Sequence, residues 1–318
     1  MSGLASSLRG LFLDLRFAMA SYYQRVTVLL NPAAGKQSAA AEEQVRAALH
    51  SAGCDADVHR ADGASFASEA KAAVERGSTL IIAGGGDGSV SAAASALVGT
   101  DAALGVLPLG TLNHFAKDLD IPTDLTKAVD VIGTGRTIAV DVGEVNGRPF
   151  INNASIGMYA SLISERASMQ RIGRGKWMAH GVAAIRVWRR YRHHPIVLGV
   201  DGTRRAARTP FVFVGNNEYH LSGLELGGRK TLEGGCLHVC MAPGMSRRGV
   251  AGMILAAIFA DVCRLQGFES FTAQAVTVDA AAPRVRTSID GEVVMLDNPL
   301  TFRICPRALR VRVPSCEP

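Results

Sequence analysis

The chain has 318 residues, a length that typically corresponds to about two domains. Hydrophobic residues make up 48% and charged residues 19%, which excludes an intrinsically disordered chain and provides enough apolar surface for a buried core. Lysine and arginine outnumber aspartate and glutamate by 34 to 28, an excess compatible with phosphate ligands, anionic membranes or nucleic acid. The six cysteines include no C-x-x-C pair, so we expect reduced cysteines of a cytosolic protein and no zinc site.

The N-terminal 25 residues contain one apolar helical face. Its members are Leu8, Leu11, Phe12 and Leu15. This face is compatible with a helix packed on the core or with a helix at a membrane interface. Asp14 and Arg16 interrupt the apolar run, so we do not expect a secretory signal peptide. No apolar run in the chain is long enough to span a bilayer.

The first half of the chain predicts alternating strands and helices. Strands are predicted at residues 26–30, 56–59, 79–83 and 104–107, and helices at residues 38–50, 65–76 and 90–98. Gly77 is well placed to end the second helix. This alternation is typical of a parallel, doubly wound sheet, in which ligands bind at the carboxyl ends of the strands.

The pattern changes near residue 138, where short strands separated by turns begin. These strands are predicted at residues 138–142, 150–154, 195–200, 210–214, 237–241, 275–278, 284–289, 300–304 and 309–313, with helices at 174–191 and 246–267. We therefore predict an α/β domain over residues 1–137 and a mainly β domain over residues 138–318.

The most informative segment is Gly84–Ser89, which follows a predicted buried strand. Consecutive glycines let backbone N–H groups approach phosphate oxygens, and a following helix presents its positive N-terminal dipole to them. The segment does not complete a G-x-G-x-x-G fingerprint, and Gly35-Lys36 does not complete a Walker A loop. Asp87 suggests a metal ion or a proton acceptor beside the phosphates, although a plain strand-to-helix turn would use Asp87 as the helix cap.

Three further segments place polar residues in loops. Asn31–Lys36 follows the first strand, Pro108–Phe115 follows the fourth strand, and Ser288–Glu292 lies near the C-terminus. The backbone N–H groups of Asn31–Lys36 and the polar side chains of Pro108–Phe115 are suited to hydrogen bonds with phosphate or sugar hydroxyls. Each segment is also compatible with an ordinary turn, and Asp290-Gly291 is a common β-hairpin turn.

In this order, the four segments resemble the motifs of the lipid kinase family that includes diacylglycerol kinases, sphingosine kinases and bacterial lipid kinases. Those motifs are N-P-x-x-G, G-G-D-G-[ST], P-x-G-T-x-N and D-G-E. They stand here as Asn31–Gly35, Gly84–Ser89, Pro108–Asn113 and Asp290–Glu292. The resemblance covers roughly residues 25 to 314, and the ordered set is far more specific than GGDG alone, which NAD kinases share.

The resemblance implies a doubly wound nucleotide-binding domain that faces a β-sandwich-like domain across a cleft. It implies an ATP- and Mg²⁺-dependent kinase that transfers the γ-phosphate to a hydroxyl of a lipid such as diacylglycerol. Asp87 and Glu292 are the offered proton acceptors, with Asp290 in support, and we favour Glu292 as the base and Asp87 as the nucleotide- or metal-side carboxylate. The implied nucleotide-binding residues are Asn31, Pro32, Gly35, Arg60, Gly84, Gly85, Gly86, Gly88, Ser89, Thr111 and Asn113.

Four positions depart from the family pattern. Ser89 stands where the family more often has Thr and keeps the hydroxyl, whereas His114 stands where many bacterial members have Asp. Arg60 occupies the approximate position of a nucleotide-contacting Thr and is suited to adenine stacking, phosphate pairing or simple solvent exposure. Glu233 is the surviving candidate for a structural Mg²⁺ ligand that relatives build from Asp residues.

We expect a cytoplasmic protein that associates peripherally with membranes, where its lipid substrate lies. The basic stretch at residues 171–194, with its interleaved aromatic residues, is compatible with docking on an anionic membrane or with a solvated helix. No nucleic-acid recognition motif accompanies the charge, so no nucleic-acid partner is expected. The oligomeric state stays open, a homodimer included. The alternative functions are a catalytically weak nucleotide- or lipid-binding regulator and a NAD-kinase-like kinase of a soluble substrate.

Overall fold

The structure is a computed structural model that describes residues 25–34, 38–51, 56–63, 65–157, 194–200, 202–219, 228–229, 231–246 and 269–315. The N-terminal helical face, Gly35, Lys36, the predicted helix at 174–191, and nearly all of the basic stretch at 171–194 and of the predicted helix at 246–267 lie outside these residues. The chain forms two compact units. The described residues up to Val140 and from Arg307 onward belong to the first, and those in Asp141–Pro306 belong to the second.

The first unit is built from alternating strands and helices, as predicted. Its strands are β1 (Val26–Leu30), β2 (Ala56–Arg60), β3 (Leu80–Gly85) and β4 (Ala103–Pro108), and its helices are α1 (Ser38–Ser51), α2 (Phe66–Glu75), α3 (Asp87–Leu97), α4 (His114–Asp118) and α5 (Leu125–Thr134). The strands are parallel in the order β2-β1-β3-β4. The end of the last strand, β16 (Leu300–Val313), pairs in parallel with β4.

Continuous apolar runs explain why β1, β3 and β4 form the interior of this sheet. Every residue of these three strands is buried, as expected for parallel strands with helices on both faces. Gly77 has a φ of +87° just beyond α2, so the predicted role of this glycine in ending the helix is confirmed. Asp124 caps α5 by accepting a hydrogen bond from the Lys127 N–H at 3.0 Å.

The second unit is a β-sandwich, which confirms the predicted fold class. The strands that carry it are β5 (Arg136–Val145), β6 (Arg148–Phe150), β7 (Asn153–Gly157), β8 (His194–Val200), β9 (Thr203–Thr209), β10 (Phe211–Asn216), β11 (Leu237–Met241), β12 (Glu269–Ala273), β13 (Ala275–Ala280), β14 (Arg284–Ile289), β15 (Glu292–Asp297) and the first half of β16. One sheet is antiparallel in the order β12-β11-β10-β7-β14-β15. The other contains β9, β8, β13 and β16, and the two sheets share one apolar core.

The structure differs from the sequence prediction chiefly at the edges of the sheets. The unpredicted strands β9, β12 and β15 each end a sheet. Exposed polar residues weaken the apolar signal of β9 and β12, whereas β15 contains an apolar run at residues 293–296 that was not predicted as a strand. The helices α4 and α5 were also not predicted. The runs at 300–304 and 309–313 are one 14-residue strand, because the interruption near Pro306 and Arg307 is a local change with a positive φ at Arg307. The end of this strand, from Arg307 onward, belongs to the first unit. The first unit therefore consists of two separate parts of the chain, whereas the sequence prediction divides the chain once, after residue 137.

Candidate functional site

Three polar loops of the first unit lie at one edge of its parallel sheet. We call them loop 1 (Asn31–Ala34), loop 2 (Gly84–Ser89) and loop 3 (Pro108–Asn113), and they occur at the carboxyl ends of β1, β3 and β4. These strands are neighbours, with Leu30 in register with Gly84. The prediction that the three loops lie at the carboxyl ends of the strands, on one edge of the sheet, is therefore confirmed. Ligands of doubly wound sheets bind at this edge.

Asn31 joins loop 1 to loop 2. Its Nδ2 donates to the Ser89 Oγ at 2.8 Å, and its backbone N–H donates to the Gly84 carbonyl at 2.9 Å. Its Oδ1 accepts the Ala33 N–H at 2.9 Å, which closes a local turn that leaves Pro32 exposed. The side chains of Asn31 and the buried Ser89 thus hold the two loops together, and both residues were predicted as nucleotide ligands.

The glycines of loops 2 and 3 allow the loops to pack in direct contact. A Cβ at Gly85 would lie 2.5 Å from the Cβ of Ser89, and a Cβ at Gly110 would lie 2.5 Å from the Cα of Gly86. Gly84 is similarly blocked by a β1 side chain. A side chain at Gly110 would push loops 2 and 3 apart, and one at Gly84 or Gly85 would collide with β1 or with Ser89, so the glycines set the shape of this edge.

Asp87 is the first residue of α3, and Gly86 is its N-cap. The alternative in which Asp87 caps the helix is therefore wrong, and no side-chain hydrogen bond caps this helix. The first turn of a helix presents free N–H groups and a positive dipole, which favour both the Asp87 carboxylate and a phosphate. Asp87 is half-buried, and its carboxylate has no hydrogen bond or ion pair within the described part of the chain. Gly88 follows on the exposed side of this turn, with open space around its Cα.

Loop 3 is held in shape by the Asn113 side chain. Its Oδ1 accepts the Gly110 N–H at 3.1 Å, and its Nδ2 donates to the carbonyl oxygens of Pro108 and Gly110 at 3.2 and 2.9 Å. Asn113 is buried and adopts a φ of +51°, a left-handed conformation that asparagine tolerates. Its amide is therefore occupied by its own loop, whereas Thr111 and His114 are exposed to solvent.

Arg60 lies at the same sheet edge but makes an ion pair with a helix. It ends β2 in register with Leu30, and its Nε donates to the Glu42 Oε2 of α1 at 2.8 Å. This hydrogen bond holds the pKa of the Glu42 carboxyl below its usual value. The Arg60 side chain is 64% exposed, so its position is compatible with a nucleotide contact only if the ion pair opens or is shared.

In the second unit, Asp290 and Gly291 form the two-residue turn between β14 and β15. Both have positive φ, +46° and +87°, as a type I′ hairpin turn requires, so the D-G hairpin prediction is confirmed. The Asp290 carboxylate accepts three backbone N–H groups, from Ile151 (2.9 Å), Asn152 (2.8 Å) and Asn153 (3.0 Å). Asp290 therefore anchors the turn to the segment Ile151–Asn153 instead of presenting a free carboxylate.

Glu292 follows this turn as the first residue of β15 and pairs with Ile289. Its side chain is exposed, and no described residue forms a hydrogen bond or ion pair with it. A carboxylate that is free and held on a fixed turn is chemically suited to accept a proton. The two carboxylates of the D-G-E motif thus differ, because Asp290 accepts hydrogen bonds from the backbone whereas Glu292 remains available to a ligand.

Comparison with known proteins identifies the family. The diacylglycerol kinase catalytic domain matches residues 25–145, and the YegS C-terminal NAD kinase beta sandwich-like domain matches residues 153–313. A diacylglycerol kinase of Mycobacterium tuberculosis (strain ATCC 25618 / H37Rv) is 30% identical over 91% of this chain and 95% of the relative. The chain belongs to the diacylglycerol kinase family of lipid kinases.

More distant members of the family agree with this assignment. A probable YegS-like lipid kinase of Klebsiella pneumoniae (strain 342) is 28% identical over 74% of this chain and 77% of its own length. The crystal structure of a putative diacylglycerol kinase from Bacillus anthracis has a TM-score of 0.72 at 19% identity and covers 92% of this chain and 98% of its own. That similarity shows a shared fold for this diacylglycerol kinase family member.

The residues that the structure describes around Glu233 do not fit the structural Mg²⁺ site that the family resemblance implies. Glu233 is exposed, and its backbone N–H donates to the Thr231 Oγ1 at 3.1 Å. The nearby Asp141 carboxylate accepts the Gly235 N–H at 2.7 Å. In the described ranges, no three histidine, cysteine, aspartate or glutamate side chains come together as a metal site requires.

Three polar residues around the segment Ile151–Asn153 were not predicted as part of the site. Arg229 and Asn216 donate to the Ile151 carbonyl, and the Tyr219 hydroxyl donates to the Asn152 carbonyl at 2.9 Å. No sequence signal indicates them, because they lie dozens of residues from the segment that they contact. An arginine in a glycine-rich stretch is, on sequence alone, typical of the surface.

Proposed function

We propose that this protein is a lipid kinase that transfers the γ-phosphate of ATP to a hydroxyl of a membrane lipid such as diacylglycerol. The observation that carries the proposal is the meeting of loops 1, 2 and 3 beside the unpartnered Asp87 carboxylate. Phosphoryl transfer needs positioning and charge neutralisation more than covalent chemistry by the protein. A glycine-lined edge with free N–H groups and one carboxylate provides those two elements.

In this proposal the ATP phosphates bind at loop 2 and the first turn of α3. The N–H groups of that turn and its positive dipole attract phosphate oxygens. Asp87 would hold a Mg²⁺ ion that accompanies the nucleotide, since carboxylate oxygens are preferred ligands of this cation, and the ion would neutralise charge on the phosphates. Thr111, with its exposed hydroxyl, is an additional donor, while Asn31, Ser89 and Asn113 keep the loops in shape.

Glu292 is proposed as the proton acceptor. The lipid hydroxyl oxygen forms a bond to the γ-phosphorus, the bond from this phosphorus to the β,γ-bridging oxygen breaks, and ADP leaves with those electrons. The hydroxyl proton passes to the Glu292 carboxylate. Glu292 is exposed and has no partner among the described residues, which supports this role, whereas Asp290 is occupied by three backbone N–H groups.

The lipid substrate implies that the protein works at a membrane surface, and we propose peripheral association. No helix within the described ranges is long and apolar enough to cross a bilayer. The partners in this proposal are ATP and a hydroxylated lipid.

Transfer of radiolabelled γ-phosphate from ATP to a panel of hydroxylated lipids, in mixed micelles with Mg²⁺, tests the proposal. We expect label in at least one lipid. Asp87→Asn and Glu292→Gln should each lower kcat by about 100-fold or more. Asp130→Asn and Asp297→Asn replace exposed aspartates elsewhere, on α5 and at the far end of β15, and should retain activity.

The possible outcomes separate the alternatives. No label in any lipid, with ATP binding intact, would contradict the lipid kinase proposal. Recovery of transfer by His114→Asp would then point to a regulator that lost activity through that residue. Label in a water-soluble substrate only would point to a NAD-kinase-like activity. Full activity of Glu292→Gln would remove Glu292 as the base while leaving the kinase proposal in place.

A further inference from the structure

A buried arginine lies beside the D-G-E turn of the second unit. Arg229 is only 7% exposed, and burial of a guanidinium is costly unless hydrogen bonds replace its hydration. Its Nη2 donates to the Asn152 Oδ1 at 3.0 Å, and its Nη1 donates to the carbonyl oxygen of Ile151 in a short hydrogen bond. Its Cζ also lies 5.5 Å from the ring centroid of Tyr219, within cation–π distance.

The segment that Arg229 contacts is the one that Asp290 anchors. In the peptide unit between residues 151 and 152, the carbonyl accepts from Arg229 and the N–H donates to the Asp290 Oδ1 at 2.8 Å. In the next peptide unit, the Asn152 carbonyl accepts from the Tyr219 hydroxyl, and the Asn153 N–H donates to the same Asp290 oxygen. Two consecutive peptide units therefore lie between the donors Arg229 and Tyr219 on one side and the Asp290 carboxylate on the other.

This arrangement acts as an ion pair relayed through peptide groups. A donor on the carbonyl polarises the peptide and strengthens the hydrogen bond that its N–H makes on the other side. Arg229 and Asp290 thus stabilise each other through residues 151–153, although their side chains meet that segment from opposite sides. Any change at Arg229 should loosen the Asp290 contacts and, with them, the turn.

We propose that Arg229 is a positioning residue for Glu292, which it fixes through the segment Ile151–Asn153 and the Asp290 anchor. Glu292 lies two residues beyond Asp290 in the same tight turn, so the orientation of its carboxylate depends on that anchor. This inference rests on the proposed function of Glu292 as the proton acceptor. It extends the site to a residue that acts on Glu292 through the intervening segment and the turn.

Amide hydrogen exchange, followed residue by residue by NMR on the full chain, tests the relay without reference to activity. Arg229→Lys keeps the charge but loses the guanidinium fork, and we expect the Asn152 amide to exchange about tenfold faster. Tyr219→Phe removes only the phenol donor, and we expect the Asn153 amide to exchange about threefold faster. Simple destabilisation of the unit would instead also accelerate the other amides of β7, at residues 154–157, together with those of β10.

Arg303→Lys is the matched control for Arg229→Lys. Arg303 is 60% exposed and donates to both Glu144 carboxylate oxygens at 2.8 Å, away from the 151–153 segment. We expect no change at the Asn152 amide in this variant. If Arg229→Lys does not fold, Tyr219→Phe alone decides the relay, because it leaves the guanidinium in place.

A kinetic cycle tests the effect on Glu292. We expect Arg229→Lys to lower kcat about 10-fold to 100-fold with the KM for ATP nearly unchanged. In the Glu292→Gln background the same substitution should cost less than about twofold, because the group that it positions is already gone. Equal losses in both backgrounds, or unchanged exchange at Asn152 and Asn153, would overturn the proposal. Absence of lipid phosphorylation by the unmodified protein would instead contradict the proposed function, and the exchange experiment would still decide the relay.

Discussion

The contact between loops 2 and 3 makes Gly110→Ala a sharp test of the site geometry. The new Cβ would lie 2.5 Å from the Gly86 Cα and 2.8 Å from the Asn113 Oδ1. Carbon atoms rest about 3.5–4.0 Å apart, so the loops must separate by about 1 Å. Such overpacking costs about 1–3 kcal/mol. Loss of the Gly110 N–H bond to the Asn113 Oδ1 adds about 1 kcal/mol, so we expect the free energy of unfolding to fall by about 2–4 kcal/mol.

Urea unfolding followed by circular dichroism measures this loss, with Gly133→Ala as the control. Gly133 lies in α5 with open space around its Cα, so alanine there should raise the free energy of unfolding by about 0.5–1 kcal/mol. Because a misplacement of about 1 Å can cost about 100-fold in rate, lipid phosphorylation by Gly110→Ala should fall more steeply than its stability. A Gly110→Ala variant with unchanged stability and activity would refute the tight loop contact.

Three further predictions concern single residues. The new methyl group of Gly88→Ala meets no neighbour within the protein, so the stability of the variant should be equal or higher. Calorimetry should nevertheless show ATP binding weakened about tenfold, which corresponds to about 1.4 kcal/mol. An unchanged affinity for ATP would exclude Gly88 from the site. Asp290→Asn turns one acceptor into a donor that faces the Ile151 N–H, so urea unfolding should show a loss of about 2–3 kcal/mol, and a loss below about 0.5 kcal/mol would contradict the anchor. Burial lowers the pKa of His238, so the folded protein holds the imidazole in its neutral form. Because the unfolded chain takes up this proton more readily, the free energy of unfolding should fall as the pH drops below about 6.5 toward the lower pKa of the folded state. The same pH dependence in His238→Gln would contradict this assignment.

The sequence predicted the fold wherever burial leaves a strong pattern. The strands β1, β3 and β4 are continuous apolar runs, and glycine-rich or asparagine-rich loops follow each of them. The edge strand β9 was not predicted, because exposed arginines interrupt its apolar pattern. The edge strand β15 was not predicted either, because its four apolar residues at 293–296 follow one another without the two-residue alternation of a half-buried strand. The return of β16 to the first unit is a long-range pairing with β4, and local periodicity contains no information about it.

The motifs located the candidate site, but they did not distinguish residues that shape it from residues left free to react. The Asn31 and Asn113 amides looked like phosphate ligands, yet both are used by the loops themselves. Hydrogen-bond saturation depends on where the neighbouring backbone lies, which the sequence order does not reveal. Arg229 was missed for the same reason, since its partners Ile151 and Asn152 lie far away along the chain.

The polar residues of the motifs fall into two groups, those whose side chains are already hydrogen-bonded within the protein and those whose side chains are not, and we expect different phenotypes when they are replaced. Hydrogen-bonded side chains, such as the buried Asn113 and the half-buried Asp290, stabilise a loop, so their replacement should change stability and activity together. Side chains that have no partner among the described residues, such as Asp87 and Glu292, hold no loop together, so their replacement should lower activity far more than stability. The helix N-terminus favours the half-buried Asp87 carboxylate, but no described residue forms a hydrogen bond or ion pair with it. A cation that accompanies a bound phosphate would supply the missing partner, so the loss of Asp87 should be felt chiefly when the nucleotide is bound.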